Sequence, residues 1–209
     1  MCLAAFMLRL RSSLVLCASL SCLLFAAPGG ASELYASALV GPAYFHNDDP
    51  LLQADSSGFG VAAQLDVGAQ LKRWLALHGT LILDHSNWMA FDESAQLNGE
   101  YLTTVLGLGL GATASWQRWS AGLSGGAQLT WHPDPINPND GATGAGLGPF
   151  VALQGGYAIA MSDAVQLGAH AFARYRVGKD AQDPSGYQLG VGLCFTLADA
   201  SPTAPTPSR

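Results

Sequence analysis

The stretch Phe59–Leu71, read as FGVAAQLDVGAQL, alternates without a break. Phe59, Val61, Ala63, Leu65, Val67, Ala69 and Leu71 are apolar, whereas Gly60, Ala62, Gln64, Asp66, Gly68 and Gln70 are small or polar. Successive side chains of an extended chain point to opposite sides, so this is a strand with one greasy face. Trp119–Trp131 divides in the same way: Trp119, Ala121, Leu123, Ala127, Leu129 and Trp131 oppose Ser120, Gly122, Ser124, Gly126, Gln128 and Thr130. Residues 165–177 and 187–197 repeat the split with few errors, and residues 75–84, 102–114 and 147–159 do so with more Gly and Ala. Residues 34–45 make the least clean segment, because Pro42 and mixed polarity blur its faces.

These are eight strands, many longer than the five or six residues usual in soluble sheets. A tilted strand that crosses a bilayer needs about 9–11 residues, which these segments reach. Short turns are expected at Lys72-Arg73, Trp116-Gln117-Arg118 and Met161-Ser162-Asp163. Longer loops are expected at Asn47–Ser57, Ser86–Glu100, His132–Gly146 and Gly178–Gly186. Four long and three short connections predict an up-and-down meander with both ends on the short-turn side.

Composition decides which face meets which solvent. Of 209 residues, 49% are apolar and only 11% charged, against about 25% charged in an ordinary soluble domain. Disorder is excluded by the apolar content, nucleic-acid binding is disfavoured by 15 acidic against 9 basic residues, and the 25 glycines follow no collagen period. A soluble lipocalin-like barrel would turn the greasy face inward and carry Lys and Glu outside. Here the polar face is instead Gly, Ala, Ser, Thr and Gln, with Asp66, Asp84, Arg174 and Arg176 as its main charges. Small residues fit the cramped interior of a narrow barrel, and lipid takes the apolar face. The predicted fold is all-β: an eight-stranded antiparallel up-and-down transmembrane β-barrel.

Residues 1–31 read as a secretory signal peptide, with Arg9 and Arg11 as basic flank, Leu14–Ala27 as apolar core and Pro28-Gly29-Gly30-Ala31 as small-residue exit. The core is short for a membrane-spanning anchor helix. Cleavage after Ala31 removes Cys2, Cys17 and Cys22 and leaves Cys194, which alone forms no intrachain disulfide. Residues 32–199 then form the barrel domain, and 200–209 a disordered Pro/Ser/Thr tail.

Aromatic residues fall into two groups. Trp74, Trp119, Tyr157 and Phe195 lie near the short-turn ends, and Tyr44, Phe59, Tyr101, Trp131, Tyr175 and Tyr187 near the long-loop ends. Rings gather at both membrane interfaces of spanning barrels. Near the C-terminus, Gln188-Leu189-Gly190-Val191-Gly192-Leu193-Cys194-Phe195 places a polar residue, a Gly two later, then apolar residues ending in an aromatic. Over residues 34–197 the chain resembles the small eight-stranded outer-membrane barrels of Gram-negative bacteria, the OmpA/OmpX-like family. The resemblance implies an outer-membrane location with periplasmic termini. It also implies contact with outer-membrane lipid and lipopolysaccharide. Gln188, Gly190, Leu193 and Phe195 would be read by the outer-membrane assembly machinery, although 14 residues follow Phe195.

Asp66, His78, Asp84, His170, Arg174 and Arg176 fall on the inward face. Charges in a low-dielectric interior must be paired or hydrated, so Arg174 and Arg176 are expected to pair with Asp66 or Asp84 and plug the lumen. A narrow passive channel is the alternative. His85-Ser86 invites comparison with lipid A deacylases, but adjacent residues on a strand face opposite ways and cannot share a proton. Asp48, Asp49, Asp55, Asp92, Glu93, Glu100, Asp134, Asp140, Asp180 and Asp183 crowd the long loops, with Lys179 the only Lys or Arg there. They read as a solvated, repulsive rim; Ca²⁺ binding is a second reading without an EF-hand spacing. No catalytic residues, cofactor or metal are expected, and the role read here is structural or surface interaction through the acidic loops.

Overall fold

A computed structural model describes residues 33–49, 54–90, 99–133, 143–162, 165–178 and 185–198. The expected signal peptide and tail lie outside the described residues. Eight strands follow in order: β1 (Glu33–Asp49), β2 (Ala54–Lys72), β3 (Leu75–Ala90), β4 (Gly99–Trp116), β5 (Trp119–Pro133), β6 (Thr143–Met161), β7 (Val165–Arg176) and β8 (Ser185–Ala198). Each pairs antiparallel with its sequence neighbours, and β8 closes on β1 to complete the barrel. No sheet edge is left to pair with another chain.

Burial is inside out relative to a soluble domain. Leu65, Leu123 and Val191 are 43%, 53% and 59% exposed on the outer wall, while Asp66 and Asp84 are each 2% exposed in the interior. The greasy faces therefore do not converge on a common centre, which removes the lipocalin-like alternative. The lumen is filled in layers. Leu39, Ala43, Ala62, Phe172 and Cys194 form one apolar cluster; Ile82, Phe150 and Ala152 form a second. Eight strands leave room for side chains and little else.

Two rings owe their place to a glycine directly across the ladder. Gly156 pairs with His170 and Gly190 with Phe172. A Cβ at Gly156 would lie 2.0 Å from the His170 ring, and one at Gly190 would lie 2.3 Å from Phe172. Each glycine thus lets the opposing ring lie flat along the inner wall.

The strands are longer than the polarity pattern predicts, and the expected loops correspondingly shorter. β1 runs on to Asp49 and β2 starts at Ala54, so most of the expected Asn47–Ser57 loop is hairpin, with Asp48 opposite Asp55. β3 likewise continues to Ala90, opposite Gly99 of β4, and β5 and β6 pair as far as Pro133 and Thr143. The reason is physical: beyond the apolar band nothing demands alternation, yet backbone pairing still satisfies every N–H and C=O. Asp48, Asp49, Asp55 and Glu100 therefore sit on strand ends. Asp92, Glu93, Asp134, Asp140, Asp180, Asp183 and Lys179 lie outside the described residues.

At the other end the turns are tight. Arg73-Trp74 and Gln117-Arg118 each make a two-residue hairpin turn, and Gln117 takes a left-handed φ of 55°. Irregular pairing between Gln70 and Lys72 marks a bulge beside the first of these turns, and irregular pairing between Ala158 and Ala160 marks another near the β6–β7 connection. Glu33 and Ala198 lie at this same end, with Tyr35 opposite Ala198. One interruption stands in the closing seam: β1 and β8 pair from Tyr35 to Val40 and again from Ala43, but not at Gly41 and Pro42. Proline has no N–H to give the ladder.

Candidate functional site

Polar residues of the inner face form a connected network, built from six strands. β2 supplies Gln64 and Asp66, β3 supplies His78, Thr80 and Asp84, β4 supplies Thr113, β6 supplies Gln154, β7 supplies Arg174, and β8 supplies Gln188. Alternation alone brings them together, because each sits on an inward position of its strand.

Asp84 is held by a guanidinium: Arg174 Nη1 donates to its Oδ2 at 2.6 Å. The same nitrogen donates to Gln188 Oε1 at 3.2 Å, Nη2 donates to Gln64 Oε1 at 3.1 Å, and the guanidinium stands 5.0 Å from the centre of the Phe172 ring. Asp66 is held differently. Thr80 Oγ1 donates to it at 2.8 Å, Gln64 Nε2 reaches both its oxygens at 3.0 Å, and Gln154 Nε2 stands at 3.4 Å. His78 Nδ1 lies 3.4 Å from Asp66 and 3.1 Å from Thr80 Oγ1. Because Thr80 spends its proton on Asp66, its oxygen accepts from His78 Nδ1–H, leaving Nε2 to meet Thr113 Oγ1 at 3.0 Å. Gln64 ties the two halves, donating to Asp66 and accepting from Arg174.

The expected pairing of both arginines with acids is met at Arg174, whereas Arg176 Nη1 donates to Thr130 Oγ1 at 3.0 Å. His170 is half-buried at the short-turn end; its Nε2 stands 3.4 Å from Ser120 Oγ, and its buried Nδ1 has no hydrogen-bond partner. Asp84 Oδ1, Arg174 Nε and Gln188 Nε2 are likewise buried without partners, which marks where water would sit in the lumen.

Sequence pattern missed the apolar half of this interior. Leu39, Ile82, Phe150 and Phe172 occupy inward positions, where they read as errors in the alternation. It also missed Tyr35, whose ring centroid lies 5.6 Å from that of His78, and the hydrogen bond of the Cys194 thiol with Ser37 Oγ at 3.1 Å. Register supplies the only signal that could have found them, since a ring facing a cross-strand glycine is visible once partners are known.

The outer wall carries the aromatic residues. Trp74, Trp119, Tyr157 and Phe195 are exposed at the short-turn end, joined by Trp116, which is 75% exposed. Trp119 and Tyr157 meet edge to face at 4.9 Å. At the other end Phe59, Tyr175 and Tyr187 are exposed and Tyr44 and Trp131 half-buried; Tyr44 stacks edge-on against Phe59 at 5.4 Å. The side chain of Tyr101 lies outside the described residues. On β8, Gln188 points inward while Leu193 and Phe195 face outward, with Gly190 between. An apolar band bracketed by rings, around a polar and filled lumen, has one stable solvent. The chain is a transmembrane β-barrel.

The wall of this barrel separates His85 from Ser86. His85 is exposed outside, with Nδ1 3.1 Å from Thr104 Oγ1, and Ser86 is buried inside. No proton passes directly between them, which removes the deacylase arrangement at this position. Among the described residues, no three His, Cys, Asp or Glu side chains come together as a metal site.

No protein-family model matches the barrel, and no curated protein matches it. Its architecture is similar to that of solved structures. Neisserial surface protein A, at 15% identity, covers 81% of this chain and 99% of its own with a TM-score of 0.48. Ail, the attachment invasion locus protein of Yersinia pestis, at 11% identity, covers 79% and 98% with a TM-score of 0.45. The outer membrane protein AlkL, at 12% identity, covers 87% and 96% with a TM-score of 0.46.

Proposed function

We propose that this barrel is a sealed, non-catalytic protein of a bacterial outer membrane that acts through the acidic hairpins at its long-loop end. The observation that carries the reading is the filled lumen: with Phe172, Phe150 and the Arg174–Asp84 pair across the bore, solute has no open path. What remains for interaction is the outer end, where 10 of the 15 acidic residues gather. On this reading residues 1–31 are removed on export, the termini face the periplasm, β8 carries the assembly signal, and outer-membrane lipid and lipopolysaccharide surround the wall. The acidic hairpins repel one another and stay solvated, suiting a surface role in adhesion or envelope stability.

The test pairs fractionation with conductance. The protein is expected in the outer-membrane fraction with heat-modifiable gel migration, and planar bilayers containing it are expected to stay silent. Whole cells carrying Asp48→Asn/Asp49→Asn/Asp55→Asn should change in adhesion or envelope integrity. Identical behaviour of variant and parent cells in both would remove the hairpins from the function. A narrow channel is the second reading, favoured by the unpartnered polar atoms of Asp84, Arg174 and Gln188 along the bore. Discrete single-channel openings in the unmodified protein would favour it over the sealed barrel.

A further inference from the structure

At the short-turn end the lumen opens into a cavity of about 130 Å³, well above the roughly 10–15 Å³ that one water requires. Arg73 and Arg118 stand at its mouth on two separate hairpin turns, Thr113 and Ser120 line its side, and His170 lies deeper on β7. No carboxylate lines it among the described residues. Among the described residues no carboxylate pairs with Arg73 or Arg118. The buried His170 Nδ1 has no partner, and the Nε2 contact to Ser120, at 3.4 Å, is long.

A cavity lined by two guanidinium groups, an imidazole and hydroxyls, with no acid among the described residues, has donors in excess of acceptors. An anion with several acceptor oxygens complements such a lining. We infer that this vestibule binds a phosphate group, held by Arg118 and Arg73 at the mouth and by His170 within. Guanidinium groups match tetrahedral oxyanions through paired, charge-assisted hydrogen bonds. The volume admits such a group with a few waters and is too small for an oligosaccharide or a folded peptide. The site depends on the barrel itself and not on the surface role proposed above, so either can fail alone.

The phosphate could be free or belong to a lipid headgroup, and the experiment separates the two. The full chain, with histidines isotope-labelled, is folded in phosphate-free maltoside micelles and titrated with inorganic phosphate at constant ionic strength set by chloride. The His170 imidazole signals are expected to shift and saturate while those of His78, deeper in the network, stay in place. Arg118→Gln should weaken the apparent affinity about tenfold, the loss of one charge-assisted hydrogen bond, with Arg118→Lys in between; heat-modifiable migration verifies that both fold. In phospholipid nanodiscs, His170 signals already shifted before phosphate is added identify the headgroup as source. A shift only on adding phosphate, there and in phosphate-free galactolipid discs, identifies the free anion. The inference is overturned if His170 does not respond in micelles or discs, if chloride alone reproduces the shift, or if Arg73→Gln/Arg118→Gln binds as the parent does.

Discussion

Asp66 and Asp84 are buried to the same extent in one bore, yet they are kept there by different means. Asp84 is neutralised by a guanidinium at 2.6 Å and leaves one of its oxygens without a partner. Asp66 has Thr80, Gln64 and Gln154 around it, with His78 at 3.4 Å. A carboxylate can be held in a narrow lumen by one opposite charge or by a shell of donors. The first arrangement concentrates the cost of failure in one residue, and the second spreads it over several.

The largest effect should come from Arg174→Met. It leaves Asp84 as an unpaired buried charge, at a loss of about 3–5 kcal/mol, most of which the double variant Arg174→Met/Asp84→Leu should recover. Urea unfolding of the barrel in lipid vesicles measures both, and an equal loss in the double variant would mean that packing, not charge, is what Arg174 provides. Thr80→Val removes the shortest donor to Asp66 and should cost about 1–3 kcal/mol in the same assay. A loss larger than that of Arg174→Met would reverse the comparison.

Gln64 sharpens it further, since its amide touches both acids' surroundings. Thr80→Val and Arg174→Met should couple by at least about 0.5 kcal/mol in a double-mutant cycle, and the coupling should vanish when Gln64→Leu is the background. The smallest change belongs outside the bore. His85→Ala loses only an exposed contact with Thr104 and should stay within about 0.5 kcal/mol of the parent.

How far the sequence carries this picture depends on which force wrote each part. The outer wall was legible because lipid imposes apolarity on every second residue, as in Phe59–Leu71. Asp66, Asp84 and Arg174 were legible as inward for the same reason. The continuation of β1 to Asp49 and of β3 to Ala90 was not, because hydrogen bonding of the backbone leaves no mark on side-chain polarity. Phe150 and Phe172 misled in the opposite sense: a lumen can be filled by rings as well as by polar groups, so apolar residues at inward positions blur the pattern without breaking the fold. Which acid Arg174 takes is a matter of register and stagger around the bore, and neither is encoded within a single strand.

The gap at Gly41 and Pro42 bears on how such a wall is put together. Seven of its eight strand contacts join chain neighbours and can zip from their turns, but the eighth must unite the first strand with the last across the length of the domain, at the greatest entropic cost. Pro42 denies that late union a rung about midway along the strands. Breathing of the closed cylinder should therefore begin at this stave, and amide exchange in β8 around Val191 should run ahead of exchange at equal depth in β4 or β5.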